Sequence, residues 1–97
     1  MATFLEAKNE WDSFVRTTRN SVPDERTYLY DKCVRELLNY LRTHKFKEPK
    51  VFLQQSGKEY PVMLETLERY CGGDVSDLIT QEMLHKTWDL AQMWRRL

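Results

Sequence analysis

The stretch that decides the fold is residues 23–43, PDERTYLYDKCVRELLNYLRT. When these residues are placed at helical intervals, one half of the circumference is apolar and the other half is polar. The apolar half consists of Leu29, Tyr30, Cys33, Val34, Leu37, Leu38, Tyr40 and Leu41. An apolar face of this width is typical of the central helix of a small bundle. We therefore predict a helix from about Pro23 to Thr43, with Ser21 as its N-cap.

The N-terminal segment, from Thr3 to about Thr18, also carries a helical pattern. It opens with a capping box, in which the side chains of Thr3 and Glu6 each accept a hydrogen bond from the other residue's backbone N–H. An apolar stripe then follows one face and consists of Phe4, Ala7, Trp11, Phe14 and Val15. This pattern predicts a helix that lies on the core.

A third helix is predicted from about Lys58 to Cys71. Its apolar face consists of Tyr60, Met63, Leu64, Leu67, Tyr70 and Cys71. Glu65 and Arg69 are spaced i, i+4, which favours an ion pair across one helical turn. Gly72 follows at the position where helices commonly end in a left-handed residue.

Two stretches leave alternatives open. After the glycines, either one helix runs over 75–97 with Asp74 as its N-cap, or Thr80 caps a helix that begins one residue later. Within 44–58, Pro49 favours one or two helical turns, whereas the same residues also suit an extended apolar run.

Length and composition bound the architecture. The chain has 97 residues, of which 41% are hydrophobic, and only three Gly and three Pro, so it is expected to form one globular domain. We predict an all-α fold, a compact bundle of four to five helices over 1–97, either a whole protein or the N-terminal domain of a longer one. The expected core consists of Trp11, Phe14, Tyr30, Val34, Leu37, Leu41, Met63, Leu67, Tyr70, Leu84 and Trp88.

The residue types that catalysis requires do not form a pattern in this sequence. His44 and His85 have no second ligand at helical spacing, so neither a metal site nor a cofactor is predicted. Cys33 and Cys71 fall on apolar faces, which indicates buried, reduced thiols and an intracellular location, cytoplasmic or nuclear. No apolar run approaches the roughly 18 residues of a membrane span. We therefore expect a non-enzymatic protein.

The final segment carries more apolar residues than one packing surface needs. One cluster consists of Ile79, Met83, Leu90, Met93, Trp94 and Leu97, and a second of Leu84, Trp88 and Ala91. Either the helix is covered from two sides, or one side meets another chain. Because few neighbours can cover the last turns, we expect Met93, Trp94 and Leu97 to contact a partner protein or a second copy. This surface predicts an adaptor or assembly domain that presents an apolar face or groove to a partner helix.

A small nucleic-acid-binding domain is the alternative function. Its contacts would come from a basic segment over 42–58, in which Phe46 and Phe52 interleave with cations as a stacking surface requires. The candidate contact residues are Arg42, Lys45, Lys47, Lys50 and Lys58. Against this alternative, Lys and Arg number 15 and so do Asp and Glu, whereas domains dedicated to nucleic acid are usually basic.

Overall fold

The computed structural model describes residues 3–44 and 53–96. Four α-helices lie wholly within these ranges and no strand is found there, which confirms the all-α class. They are α1 (Phe4–Arg19), α2 (Thr27–Thr43), α3 (Glu59–Cys71) and α4 (Gln81–Arg95), and a short 3-10 helix (Asp24–Arg26) precedes α2. The helical turns predicted after Pro49 begin outside the described residues. No helix in the described ranges is long and apolar enough to cross a membrane.

α2 is the central helix, as the width of its apolar face predicts. It packs against α1, α3 and α4, and most of its apolar half is buried, with Leu29 and Tyr40 half-buried at the edges. The predicted start of this helix is wrong. Arg26 occupies the N-cap position without a side-chain hydrogen bond, and the 3-10 helix stands before it. Ser21 therefore lies several residues too early to cap α2.

α1 begins with the predicted capping box and is joined to α2 at its other end. The hydroxyl of Thr3 accepts from the N–H of Glu6 at 3.1 Å, and the Glu6 carboxylate accepts from the N–H of Thr3 at 3.4 Å. At the end of α1, Arg19 donates to both carboxylate oxygens of Asp31, at 2.8 and 3.1 Å. This bidentate pair fixes the approach of the two helices more tightly than a single contact would.

α3 ends as the sequence predicts. Gly72 has a φ of 77° and its N–H donates to the carbonyl of Glu68 at 2.8 Å. A left-handed conformation of this kind favours glycine, because a side chain would crowd the backbone. The predicted pair between Glu65 and Arg69 is also formed, with a nitrogen-to-oxygen distance of 3.5 Å.

The start of α4 decides between the two alternatives for the last helix. The hydroxyl of Thr80 accepts from the N–H of Met83 at 3.1 Å and caps a helix that begins one residue after Thr80. The residues before it form turns, in which the Asp74 carboxylate accepts from the N–H and the hydroxyl of Ser76 at 3.0 and 2.8 Å. A single helix over 75–97 is therefore wrong, because the Asp74 side chain closes a local turn instead of capping a helix.

The core lies on α2 and on the inner faces of α3 and α4. Of the predicted core residues, those that are buried are Tyr30, Val34, Leu37, Leu41, Met63, Leu67 and Leu84. Trp11, Phe14 and Trp88 are only half-buried, and Tyr70 is 61% exposed, so its assignment to the core is wrong. Tyr70 lies at the edge of the α3 stripe, and α3 contacts only α2 among the described helices. The turn before α4 supplies buried residues in its place, namely Val75, Leu78 and Ile79.

Candidate interaction surface

Trp94 lies at the end of the bundle where α1 begins and where α2 and α4 end. Its ring meets Phe4 edge to face, with ring centroids 6.1 Å apart and an interplanar angle of 67°. On another side, the guanidinium carbon of Arg42 lies 4.5 Å from the centroid of the Trp94 ring. Aromatic and cation–π contacts of this geometry are attractive and hold the indole in one orientation. Even so, 39% of Trp94 remains exposed.

The last turn of α4 is tied to the last turn of α2 by Arg95. Its Nε donates to the carbonyl of Arg42 at 2.7 Å, and its Nη2 donates to the carbonyl of Leu41 at 2.8 Å. Carbonyls in the last turn of a helix lack intrahelical partners, so a cation that caps them stabilises the helix end. The end of α4 is therefore held in place at the residue next to Trp94.

Met93 lines a groove of about 310 Å³ between α1 and α4. Ala7 and Trp88 supply the rest of its apolar lining, and charged side chains surround it, namely Glu10, Asp89 and Arg96. Ala7 lies one turn after Phe4 and Met93 precedes Trp94, so the groove reaches the same end of the bundle, although Trp94 does not line it. Leu97, the third predicted interface residue, lies outside the described residues.

Leu5 is part of this end of the bundle, although the sequence did not single it out. It is 65% exposed and lies next to Phe4, which contacts Trp94. The sequence signal that could have found it is its position off the apolar stripe of α1. A large aliphatic side chain on the polar side of a helix indicates an interaction surface only when other exposed apolar groups lie nearby.

The width of the apolar surface on α4 is explained by its packing. α4 contacts both α1 and α2, so it is covered from two sides. Its buried residues are Met83, Leu84, Thr87, Leu90 and Ala91. Most of the apolar surface is thus used within the chain. Near its C-terminal end, Met93 is half-buried and Trp94 is exposed.

The structure brings together few of the residues predicted to contact nucleic acid. Lys45, Lys47 and Lys50 lie outside the described residues. Arg42 packs on Trp94, which occupies one face of its guanidinium group. Lys58 is exposed and stands at the N-cap position of α3.

Both cysteines of the chain lie in the apolar core. Cys33 and Cys71 are buried free thiols, and burial raises the pKa of Cys33 to about 12 and also raises the pKa of Cys71. A thiol that stays protonated is a poor nucleophile.

No group of three or more potential metal ligands occurs within 3–44 and 53–96. Comparisons with protein families, curated proteins and solved structures found no match for this chain.

Proposed function

We propose that this chain is a non-enzymatic protein-interaction domain, an adaptor or assembly module. In this proposal, the end of the bundle around Met93, Trp94 and Leu97 docks a helix of a partner protein or of a second copy. The observation that carries it is the state of Trp94, which is fixed by Phe4 and Arg42 and yet two-fifths exposed. Tryptophan is enriched among residues that dominate binding energy, and a side chain that is already ordered loses little entropy when it binds.

The surface around Trp94 has the composition of a protein interface. Apolar contact would come from the exposed part of the indole, from Leu5 and from the groove that Met93 lines. Charged side chains of both signs, Glu10 and Arg96, stand at the edge of that groove. An apolar centre with a charged rim is the usual arrangement of a specific contact, in which the rim sets orientation more than affinity.

The chemistry of the cysteines supports the rest of the proposal. Buried thiols with raised pKa values, as at Cys33 and Cys71, suit a structural role. Free cysteines are maintained in reducing compartments. We therefore infer an intracellular location, in the cytoplasm or the nucleus, and no catalytic role for either thiol.

Replacing Trp94 with alanine tests the proposal. We expect Trp94→Ala to lower the free energy of unfolding by about 1–2 kcal/mol, because it removes one aromatic and one cation–π contact. Association should weaken by about tenfold or more, as it does when an interface hot spot is truncated. Chemical denaturation measures the first effect. Sedimentation measures self-association, and affinity capture with nuclease-treated lysate measures partner binding.

Two variants make this result interpretable. Tyr28→Ala is the matched control, because Tyr28 is 75% exposed on α2 and does not line the groove that Met93 lines. This variant should change neither stability nor association. Trp88→Ala should lower the free energy of unfolding by about 3 kcal/mol, because it opens a space between α1 and α4. If Trp94→Ala destabilises the chain as much as Trp88→Ala and leaves every association unchanged, Trp94 is a packing residue and the proposal is wrong.

A further inference from the structure

A second groove, of about 360 Å³, runs between α2 and α3. Glu59 at the start of α3 lies near Tyr40 at the end of α2, and Cys71 at the end of α3 lies near Cys33, so the two helices are antiparallel. The lining extends over residues 36–44 of α2 and 62–70 of α3. Each of these spans is about 12 Å long at the rise of an α-helix. The groove is therefore long enough to accommodate about two turns of a helix from another molecule.

The wall formed by α3 exposes large apolar side chains. Val62 is 56% exposed and Tyr70 is 61% exposed, and they line this groove together with Leu67, which is buried. They are two of the most exposed large hydrophobic residues in the described part of the chain. Because α3 contacts only α2 among the described helices, this flank of α3 has no neighbour there. Exposed apolar groups that line one groove are typical of a binding surface.

The wall formed by α2 offers unpaired polar groups. The Glu36 carboxylate and the Asn39 side-chain amide line the groove, and neither has a hydrogen-bond or ion-pair partner among the described residues. They are spaced i, i+3, so they are neighbours on one helix face. The lining contains no lysine or arginine. A carboxylate beside an amide carbonyl is suited to accept hydrogen bonds from an ammonium or guanidinium group.

We propose that this groove is a second docking site, which binds a short amphipathic helix of a partner protein carrying a lysine or arginine. Apolar side chains two turns apart on the partner helix contact Val62 and Tyr70, and its cation contacts Glu36. A helix seated between two antiparallel helices buries its apolar face as in a bundle. The proposal rests on the chain being an interaction domain, but it uses none of the residues around Trp94.

The test is selection from a displayed library of helical peptides of about 16 residues, a length at which a helix becomes stable on binding. The full chain is the target. We expect enriched peptides to combine two apolar residues at i, i+7 with a lysine or arginine on the same face. Tyr70→Ala and Glu36→Lys should each weaken their binding by about tenfold or more. Chemical shift changes in the amide spectrum should follow the groove.

Matched variants separate this site from the surface around Trp94. Tyr28→Ala, which removes an even more exposed tyrosine from α2, should leave peptide binding unchanged. A peptide with its cation changed to glutamate should lose binding to the wild type and regain it with Glu36→Lys. Failure to enrich peptides, or binding that survives both Tyr70→Ala and Glu36→Lys, overturns the second site. Peptides that instead lose binding only with Trp94→Ala overturn it as well, while they support the proposed function.

Discussion

At the scale of single residues, Cys33 is an ionisable side chain enclosed by the apolar core. It is completely buried at the middle of α2, and burial raises the pKa of its thiol to about 12. Cys71 and Asp77 raise it further, because ionising Cys33 would place a second negative charge near each of them. A raised pKa in the folded state makes stability depend on pH.

We predict that Cys33 destabilises the fold at high pH. Above about pH 9 the unfolded chain loses the thiol proton, whereas the folded chain keeps it up to a pH of about 12. The unfolded state then binds fewer protons, so the contribution of Cys33 falls by about 1.4 kcal/mol per pH unit within this window and is constant below it. Denaturant unfolding of the wild type and of Cys33→Ala, compared from about pH 8 upwards, measures this difference.

The comparison cancels the groups that ionise at high pH and do not interact with Cys33. Tyr40 and Tyr60 have raised pKa values to which Cys33 does not contribute, and both are present in the two proteins. We expect the stability advantage of the wild type to shrink steadily as the pH rises above 9. An advantage that stays constant up to a pH near 11 would contradict the prediction.

At the scale of elements, the ends of α2 and α4 depend on each other through Arg95. The guanidinium group spans two carbonyls of α2 in a fork that lysine does not possess. The same turn of α4 carries Trp94, and the same turn of α2 carries Arg42. The cap on α2 therefore also fixes the position of the proposed interface.

We predict that Arg95→Ala lowers the free energy of unfolding by about 1–3 kcal/mol, because two charge-assisted hydrogen bonds are lost. Arg95→Lys should recover only part of this loss, because an ammonium group cannot hold both carbonyls in the same geometry. Arg96→Ala is the control, since Arg96 is the exposed neighbour and makes no hydrogen bond through its side chain to the described residues. Thermal melts of the three variants measure these effects. If Arg95→Ala and Arg96→Ala lower the free energy of unfolding equally, the loss comes from removing a positive charge and not from the two hydrogen bonds of Arg95.

At the scale of the whole molecule, charge balance argues against a domain dedicated to nucleic acid. Fifteen cationic and fifteen anionic side chains give a formal charge of zero. Binding to the phosphate backbone is driven by release of counterions, which requires a concentration of positive charge. The basic residues that would supply it, Lys45, Lys47 and Lys50, lie in one short segment.

We predict weak or no binding to generic single- or double-stranded nucleic acid, with a Kd no tighter than about 100 µM at physiological salt. Fluorescence anisotropy of labelled oligonucleotides over a range of salt concentrations measures it. A variant with Lys45, Lys47 and Lys50 changed to glutamate should behave like the wild type. Tight binding by the wild type with a steep salt dependence, abolished in this variant, would favour nucleic-acid binding over the proposed function.

Much of the local structure follows from the sequence alone. The capping box at Thr3 and the left-handed Gly72 are each fixed by residues within about one helical turn of one another. The amphipathic pattern of α2 lies within one continuous segment of the chain. Such features persist whatever packs around them. The sequence does not decide which residue caps the last helix, because Asp74 and Thr80 both suit an N-cap. The choice depends on where Val75, Leu78 and Ile79 can be buried.

The tertiary structure alone decided the exposure of individual side chains. Tyr70 and Trp88 both lie on apolar stripes, yet Tyr70 is exposed and Trp88 is half-buried. Among the described helices, α3 has one neighbour and α4 has two. The surroundings of Trp94 come from Phe4 and Arg42, which are distant in the sequence. A helical pattern identifies which face is apolar, but burial depends on how many other elements reach that face. That number is set only when segments far apart in the chain pack together.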